Sequence, residues 1–323
     1  MKNKNKLLYT ILFTLSFLFL LSGCTPASNE STTPNSESES LMTEDFDTQE
    51  ETESQIETEE ETQKETESTL DSVYTPQSYN ESIELEFVEK PVKRTYEQAL
   101  EDLKEMSRWY PAMRFVYENA DKYPQGLLIS AVGNPEMTSY LYGYLTADGS
   151  VTGGFTDEEQ PEDYPLFLQF DPRWGYMSYG PTGNMASSGC GPTCLSMAVF
   201  YLTGNRDCTP DKVAIYSEKN GHYVNGVGTA WSLLTEYPKT LGLSSYQVRL
   251  SEANLKSELD KGKVLICSVR FGNFTSAGHF IVIYGYDENG FKVNDPKCVY
   301  RSQLSWTYEQ IKGDIKATWA IGR

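Results

Sequence analysis

The chain has 323 residues, enough for one large domain, or one domain with a small appendage, once its polar N-terminal stretch is set aside. Its formal charge of −19 is concentrated: residues 25 to 71 hold sixteen acids against Lys64 alone, the first residues contribute +3, and −7 remains for residues 72 to 323. The low pI therefore describes one segment rather than a domain, no nucleic-acid partner is expected, and no later apolar run is long enough to span a bilayer.

Lys2, Lys4 and Lys6 precede an apolar run from Leu7 to Leu21, and small residues follow, which is the layout of a secretory signal over residues 1–23. The run falls short of the roughly 20 residues a spanning helix needs. It ends in Leu21-Ser22-Gly23-Cys24, which resembles a bacterial lipobox. Cys24 is thus the expected lipidation site, and the rest of the chain is expected outside, held to the cell membrane as a lipoprotein. An uncleaved anchor would place it on the same side. Residues 24–77, rich in Ser, Thr, Glu and Gln, bury too little surface to offset the entropy of ordering and read as a disordered acidic tether.

Residues 78–160 read as a mainly helical accessory segment. Thr95 with Gln98 forms a capping-box pattern ahead of Leu100, Leu103 and Met106, Pro111 marks a boundary, and helical pattern continues to about Tyr144. The acidic stretch from Thr156 to Pro165 is the expected linker. Within the main domain, residues 161–323, a helix is predicted from Gly191 to Leu202, with Pro192 in its first turn and Gly204 as its stop. Further helices are predicted after Thr209-Pro210, over Thr229 to Glu236, and from Ser251 to before Gly262. Apolar runs then follow at Val264–Val269, Phe280–Tyr286 and Phe291–Asn294, the last two as a hairpin. Helices followed by strands predict an α+β fold.

Apart from Cys24 there are five cysteines, an odd number in an exported chain, which fits a free reactive thiol or no disulfides at all. No cysteine or histidine spacing suits zinc, and neither metal nor cofactor is expected. Cys190 lies at the start of the Gly191 helix, where backbone N–H groups and the helix dipole favour a thiolate, and Gly189 and Gly191 leave room for a substrate carbonyl. Cys194, one turn further, reads as packed, and Cys267 as core.

The chain has two histidines. His279 opens a strand after Ala277-Gly278 and is the expected base, whereas His222 in a glycine-bounded loop reads as a surface residue. Asp295 closes the partner strand and is the candidate to orient the imidazole. A three-residue loop over Glu288-Asn289-Gly290 would leave Asp295 several rungs from His279, so twist or a bulge is needed. Asn294 would face the other way. For an oxyanion the candidate donors are the Cys190 N–H and the Gln169 side chain, with Asn184 as the alternative.

These segments resemble the papain-like cysteine peptidases, and in particular the bacteriocin-processing leader peptidases, the thirty-ninth cysteine peptidase family, with their stand-alone relatives. The resemblance rests on Leu168-Gln169-Phe170-Asp171-Pro172-Arg173-Trp174-Gly175, Ser188-Gly189-Cys190-Gly191-Pro192-Thr193-Cys194-Leu195, Gly278-His279-Phe280 with its strand, and Val293-Asn294-Asp295-Pro296. It implies a papain-like fold in which a helical half, with the catalytic Cys at a helix N-terminus, packs on an antiparallel sheet carrying His and Asp. It also implies Cys190 as nucleophile, His279 as base, Asp295 as orienting residue and Gln169 in the oxyanion hole. The expected partner is a peptide or protein substrate, and the expected state a monomer. This chain has neither the P-loop nor the spanning bundle of exporter-fused members, so cleavage after a double glycine is not carried over. A silent surface binder, and an amidase or transpeptidase using the same residues, are the alternatives.

Overall fold

The computed structural model describes residue 88, residues 90–108 and residues 110–323. The expected signal, the tether and Cys24 lie outside these. Helix α1 (Tyr96–Met106) begins at the capping box: Gln98 N donates to Thr95 Oγ1 at 3.3 Å and Thr95 N to Gln98 Oε1 at 2.9 Å. Pro111 is the first residue of α2 (Pro111–Glu118), where its missing N–H costs nothing. With α3 (Gln125–Ala131) and α4 (Thr138–Tyr144), these helices bury Leu103, Met113, Leu128 and Tyr140 in one core. That core also takes in Leu168, Phe170 and Ala186, so the helical segment and the residues leading to Cys190 share one apolar interior.

A short helix α5 (Met185–Ser188) precedes α6 (Cys190–Thr203), which ends at Gly204 with φ of 69°. The sequence predicts one apolar face, yet α6 is buried on every side from Gly191 to Phe200. It lies among α7 (Pro210–Lys219), α8 (Trp231–Thr240) and a sheet. Helix α8 starts later than expected because Thr229 belongs to a small ladder of β1 (Tyr223–Val224) and β2 (Gly228–Thr229), and it runs on through Pro238. Pro238 cannot donate to the Leu234 carbonyl, so Ser245 Oγ donates to it instead at 2.6 Å.

The sheet is antiparallel throughout, in the order β3 (Ser244–Val248), β8 (Ile315–Gly322), β4 (Val264–Val269), β5 (His279–Asp287), β6 (Gly290–Asn294) and β7 (Ser305–Trp306). Val264, Ile266, Phe280, Val282, Trp319 and Ile321 join the core of α6 and α8. The alternate residues Leu265, Cys267, Ile281, Ile283 and Ala320 form a separate core with Leu255 and Ile311. Those two come from α9 (Glu252–Asp260) and α11 (Tyr308–Ile311), between which lies α10 (Val299–Ser302). This is the expected α+β arrangement: the Cys190 helix packed on an antiparallel sheet that carries His279.

The β5–β6 hairpin differs from expectation in a way that matters. Asp287 pairs with Gly290, leaving a two-residue loop, Glu288-Asn289. That register alone would set Asp295 opposite Val282, out of phase with His279. The register shifts between Ile283 and Gly285, so that Val282 pairs with Asn294 and Asp295 follows opposite Ile281, in phase with His279 and two residues away. The extra residue is Tyr284, whose ring stacks on Tyr164 at 4.6 Å.

Tyr164 has φ of 51°, a left-handed backbone that costs a side chain about 1–2 kcal/mol. Stacking on Tyr201 and Tyr284 holds it there, and its carbonyl accepts from Asn294 Nδ2 at 3.0 Å. Asn294 is therefore committed to the segment that enters the main domain. The buried helix generates a stability prediction. Phe200→Ala should lower stability by about 3–5 kcal/mol, read as a lower urea midpoint at unchanged slope, while Val227→Ala, at a residue 80% exposed, should stay within about 0.5 kcal/mol.

Candidate active site

Cys190 is the first residue of α6, with Gly189 as N-cap. The flanking glycines, expected to make room for substrate, are instead filled by the protein itself. A Cβ on Gly189 would stand 2.6 Å from Met185 O, and one on Gly191 would stand 2.6 Å from Thr229 Cγ2. Thr229 is itself fixed, its Oγ1 lying 2.9 Å from the hydroxyl of buried Tyr179. Burial raises the Cys190 thiol, but a hydrogen bond with His279, the imidazole's charge, and the N–H groups of Phe280 and Gly191 together bring it below its ordinary value.

His279 Nε2 donates to Asp295 Oδ1 at 2.8 Å, which leaves Nδ1 as the ring nitrogen for the thiol. Burial opposes the imidazolium, yet the Asp295 charge and the bonds to Asp295 and Cys190 raise its pKa to about 9. Asp295 has no exposed surface. Its Oδ1 also accepts from Lys297 N at 2.9 Å, and its Oδ2 accepts from Arg301 Nε at 2.7 Å. Burial would push the carboxyl up, but the Arg301 guanidinium and then His279 hold it well below the usual carboxylate range. The three side chains thus form a row in which the thiol is drawn toward thiolate, the imidazole toward imidazolium and the carboxyl toward carboxylate, the arrangement of a nucleophile with a proton donor beside it.

Gln169 is not brought into the cleft in the same way. It is buried, its backbone N donates to Pro296 O at 2.7 Å, and one Nε2 hydrogen goes to Ala186 O at 2.5 Å, while Oε1 has no partner. Asn184 lines the cleft but is the N-cap of α5, with Nδ2 donating to the Tyr140 hydroxyl at 2.9 Å. His222 is not a surface residue as expected. It is buried, with Nδ1 2.8 Å from Ser232 Oγ and its ring stacked on Tyr216. Cys194 and Cys267 are buried as expected, and Cys190, Cys194, Cys208, Cys267 and Cys298 are all unpaired thiols. Among the described residues no three His, Cys, Asp or Glu side chains converge as metal ligands would.

A cleft of about 800 Å³ opens over Cys190 and His279. The later domain lines it with Tyr223, Val227 and Trp231, and the helical segment and its tail add Tyr144, Leu145 and Asp148. Neither this second lining nor Arg301 was found from the sequence. Arg301 follows Asp295 by six residues, with nothing in the spacing to mark it as buried against that carboxylate.

A family model described as the Peptidase_C39-like family matches residues 161–322. Among solved structures, the chain is similar to the peptidase domain of Streptococcus ComA, a bi-functional ABC transporter involved in a quorum sensing pathway, at 19% identity and a TM-score of 0.35, covering 49% of this chain and 98% of that one. It is also similar to a C39-like peptidase from Bacillus anthracis, at 17% identity and a TM-score of 0.31, covering 50% of this chain and 96% of that one. No curated protein matches the chain.

The ion-pair geometry predicts that Cys190 of the purified full-length chain alkylates with iodoacetamide at pH 6, where an ordinary thiol is almost wholly protonated. His279→Ala should slow that labelling at least about tenfold, the loss of thiolate that accompanies each unit of rise in pKa.

Proposed function

Because the chain belongs to the peptidase C39-like family, we propose that it is a cysteine peptidase, carried on the outer face of a cell membrane by a lipid on Cys24, that hydrolyses peptide bonds through Cys190. The observation that carries this is the hydrogen-bonded row Cys190–His279–Asp295, of which Cys190 and His279 line an open cleft and Asp295 is buried behind them. All three members are engaged with one another, which is more than a silent binding surface requires.

In the proposed reaction the Cys190 sulfur attacks the scissile carbonyl carbon, and the carbonyl π electrons move to oxygen. Collapse of that oxyanion expels the amine, which takes its proton from the His279 imidazolium and leaves a thioester. Water then attacks the thioester, giving its proton to His279, and the acid departs with the thiolate and imidazolium restored. Asp295 keeps Nε2–H in place and stabilises the charged ring. The Cys190 N–H and the second Nε2 hydrogen of Gln169, the one not on Ala186, are the proposed oxyanion donors.

The substrate is a peptide or protein segment laid along the cleft, and the working unit is a monomer. External placement is supported by the Lys-led apolar run ending at Leu21-Ser22-Gly23-Cys24 and by the acidic composition of residues 24–77. No helix of the described residues is long and apolar enough to cross a membrane.

Digestion of a peptide library by the full-length chain should give cleaved products that Cys190→Ala does not form, and absence of products from the wild type would sink the activity. Asp295→Asn should lower kcat by about 10³-fold or more, as in other triads whose ring loses its orienting carboxylate. Gln169→Ala should lower kcat by about 10²–10³-fold with little change in KM. An unchanged kcat would remove Gln169 from the oxyanion role.

A further inference from the structure

The turn that carries Arg301 is held from outside the family domain. Glu136 sits in a short 3-10 turn, Pro135–Met137, of the helical segment and is only 5% exposed. Its Oε2 accepts from Val299 N at 2.6 Å and its Oε1 accepts from Tyr300 N at 2.8 Å, while the Cys298 thiol donates to Oε1 at 3.6 Å. Val299 and Tyr300 open α10, so Glu136 takes two N–H groups that have no acceptor within that helix. Beside it, Asn134 Nδ2 donates to Lys297 O at 2.5 Å, and Lys297 Nζ donates to Ser130 Oγ. Four successive residues, 297–300, are thus gripped by residues 130–136, three of them through the backbone and Cys298 through its side chain.

The same turn holds the catalytic carboxylate from the other side. Arg301 Nε and Lys297 N donate to the two oxygens of Asp295, and Asp295 N donates to Ser302 Oγ at 2.8 Å. We propose that Glu136 is a positioning residue for the active site: by bracing residues 297–301 it keeps Arg301 on Asp295, and through Asp295 it sets the ion pair of Cys190 and His279. The helical segment is then a working part of the site rather than a cover to be removed. This rests on the function proposed above.

The charged and titratable groups around this path are Asp295, Arg301, Lys297, Cys298, His279, Cys190 and Cys194. Arg94, which lines the small pocket beside Lys297 and Arg301, is committed to Asp102. In Glu136→Gln one of the two N–H groups meets an amide donor instead of an acceptor, so the brace fails at nearly constant volume.

The test is the rate of iodoacetamide labelling of Cys190 in the full-length chain from pH 4 to pH 10, with Cys190→Ala as blank. The expected result is that Glu136→Gln moves the acid limb of the profile up by about half a unit or more, about threefold less thiolate at a given pH below the limb. Asn134→Ala, which removes a separate strut, should move it the same way by less, and it decides the matter if Glu136→Gln does not fold. Met113→Ala, which weakens the helical core but removes no hydrogen bond to residues 297–301, should leave the limb in place. An unmoved limb in both brace variants, or an equal movement in Met113→Ala, overturns the proposal. A wild-type profile with no acid limb below the ordinary thiol range overturns the active-site assignment itself, and the brace with it.

Discussion

A buried carboxylate with no exposed surface is the constraint on which the rest of this molecule depends. Asp295 would be expensive to ionise in an apolar interior, and it is ionised only because His279, Arg301 and the Lys297 N–H all donate to it. Each donor has to come from a different direction: His279 from the start of β5, Lys297 from the turn after β6, and Arg301 from α10. The hairpin, the turn and the short helix are consequently fixed with respect to one another. Removing one partner of such a group typically costs about 3–5 kcal/mol, so the fold and the chemistry share the same interaction.

That interaction also accounts for the polarity of the thiol. Cys190 is drawn down by the imidazole, the imidazole is held charged by Asp295, and Asp295 is kept anionic by Arg301. The N-terminus of α6 adds the Gly191 N–H and the start of β5 adds the Phe280 N–H, so backbone donors supplement the ion pair. The reactive row is assembled from a helix start, a strand start and the residue that follows a strand end.

The parts of this arrangement legible in the sequence are those with local signatures. Thr95 with Gln98, Thr209-Pro210, Ser251 and Gly204 mark helix ends because caps and stops act over a few residues. The apolar runs of β4, β5 and β6 were plain, whereas β3, with Ser244, Ser245 and Gln247, carries no such run and is a strand only because it pairs with β8. Cys190 and His279 could be chosen because helix starts and scarce histidines narrow the search. His222 was misplaced because glycines on one side of it say nothing about the Ser232 and Tyr216 side chains that bury it. Glu136 was invisible for the same reason, its partners Val299 and Tyr300 being distant in the chain, and Arg301, though near Asp295 in sequence, because no period or spacing marks its side chain as turned inward.

The displaced register at Tyr284 has a bearing on how such chains can change length. Because the phase of Asp295 relative to His279 is settled at the bulge, close to the site, the turn at Glu288-Asn289 lies on the far side of the correction. Residues added to or lost from that turn extend or trim an exposed loop and leave the catalytic spacing as it was. A single residue gained within β6, between Gly290 and Asp295, would instead exchange inside for outside along the end of that strand, moving Asn294 toward the imidazole and Asp295 toward Tyr164. Drift in this hairpin is therefore permitted at its tip and barred along its last few rungs, and homologous chains can diverge in loop length there without moving a catalytic atom.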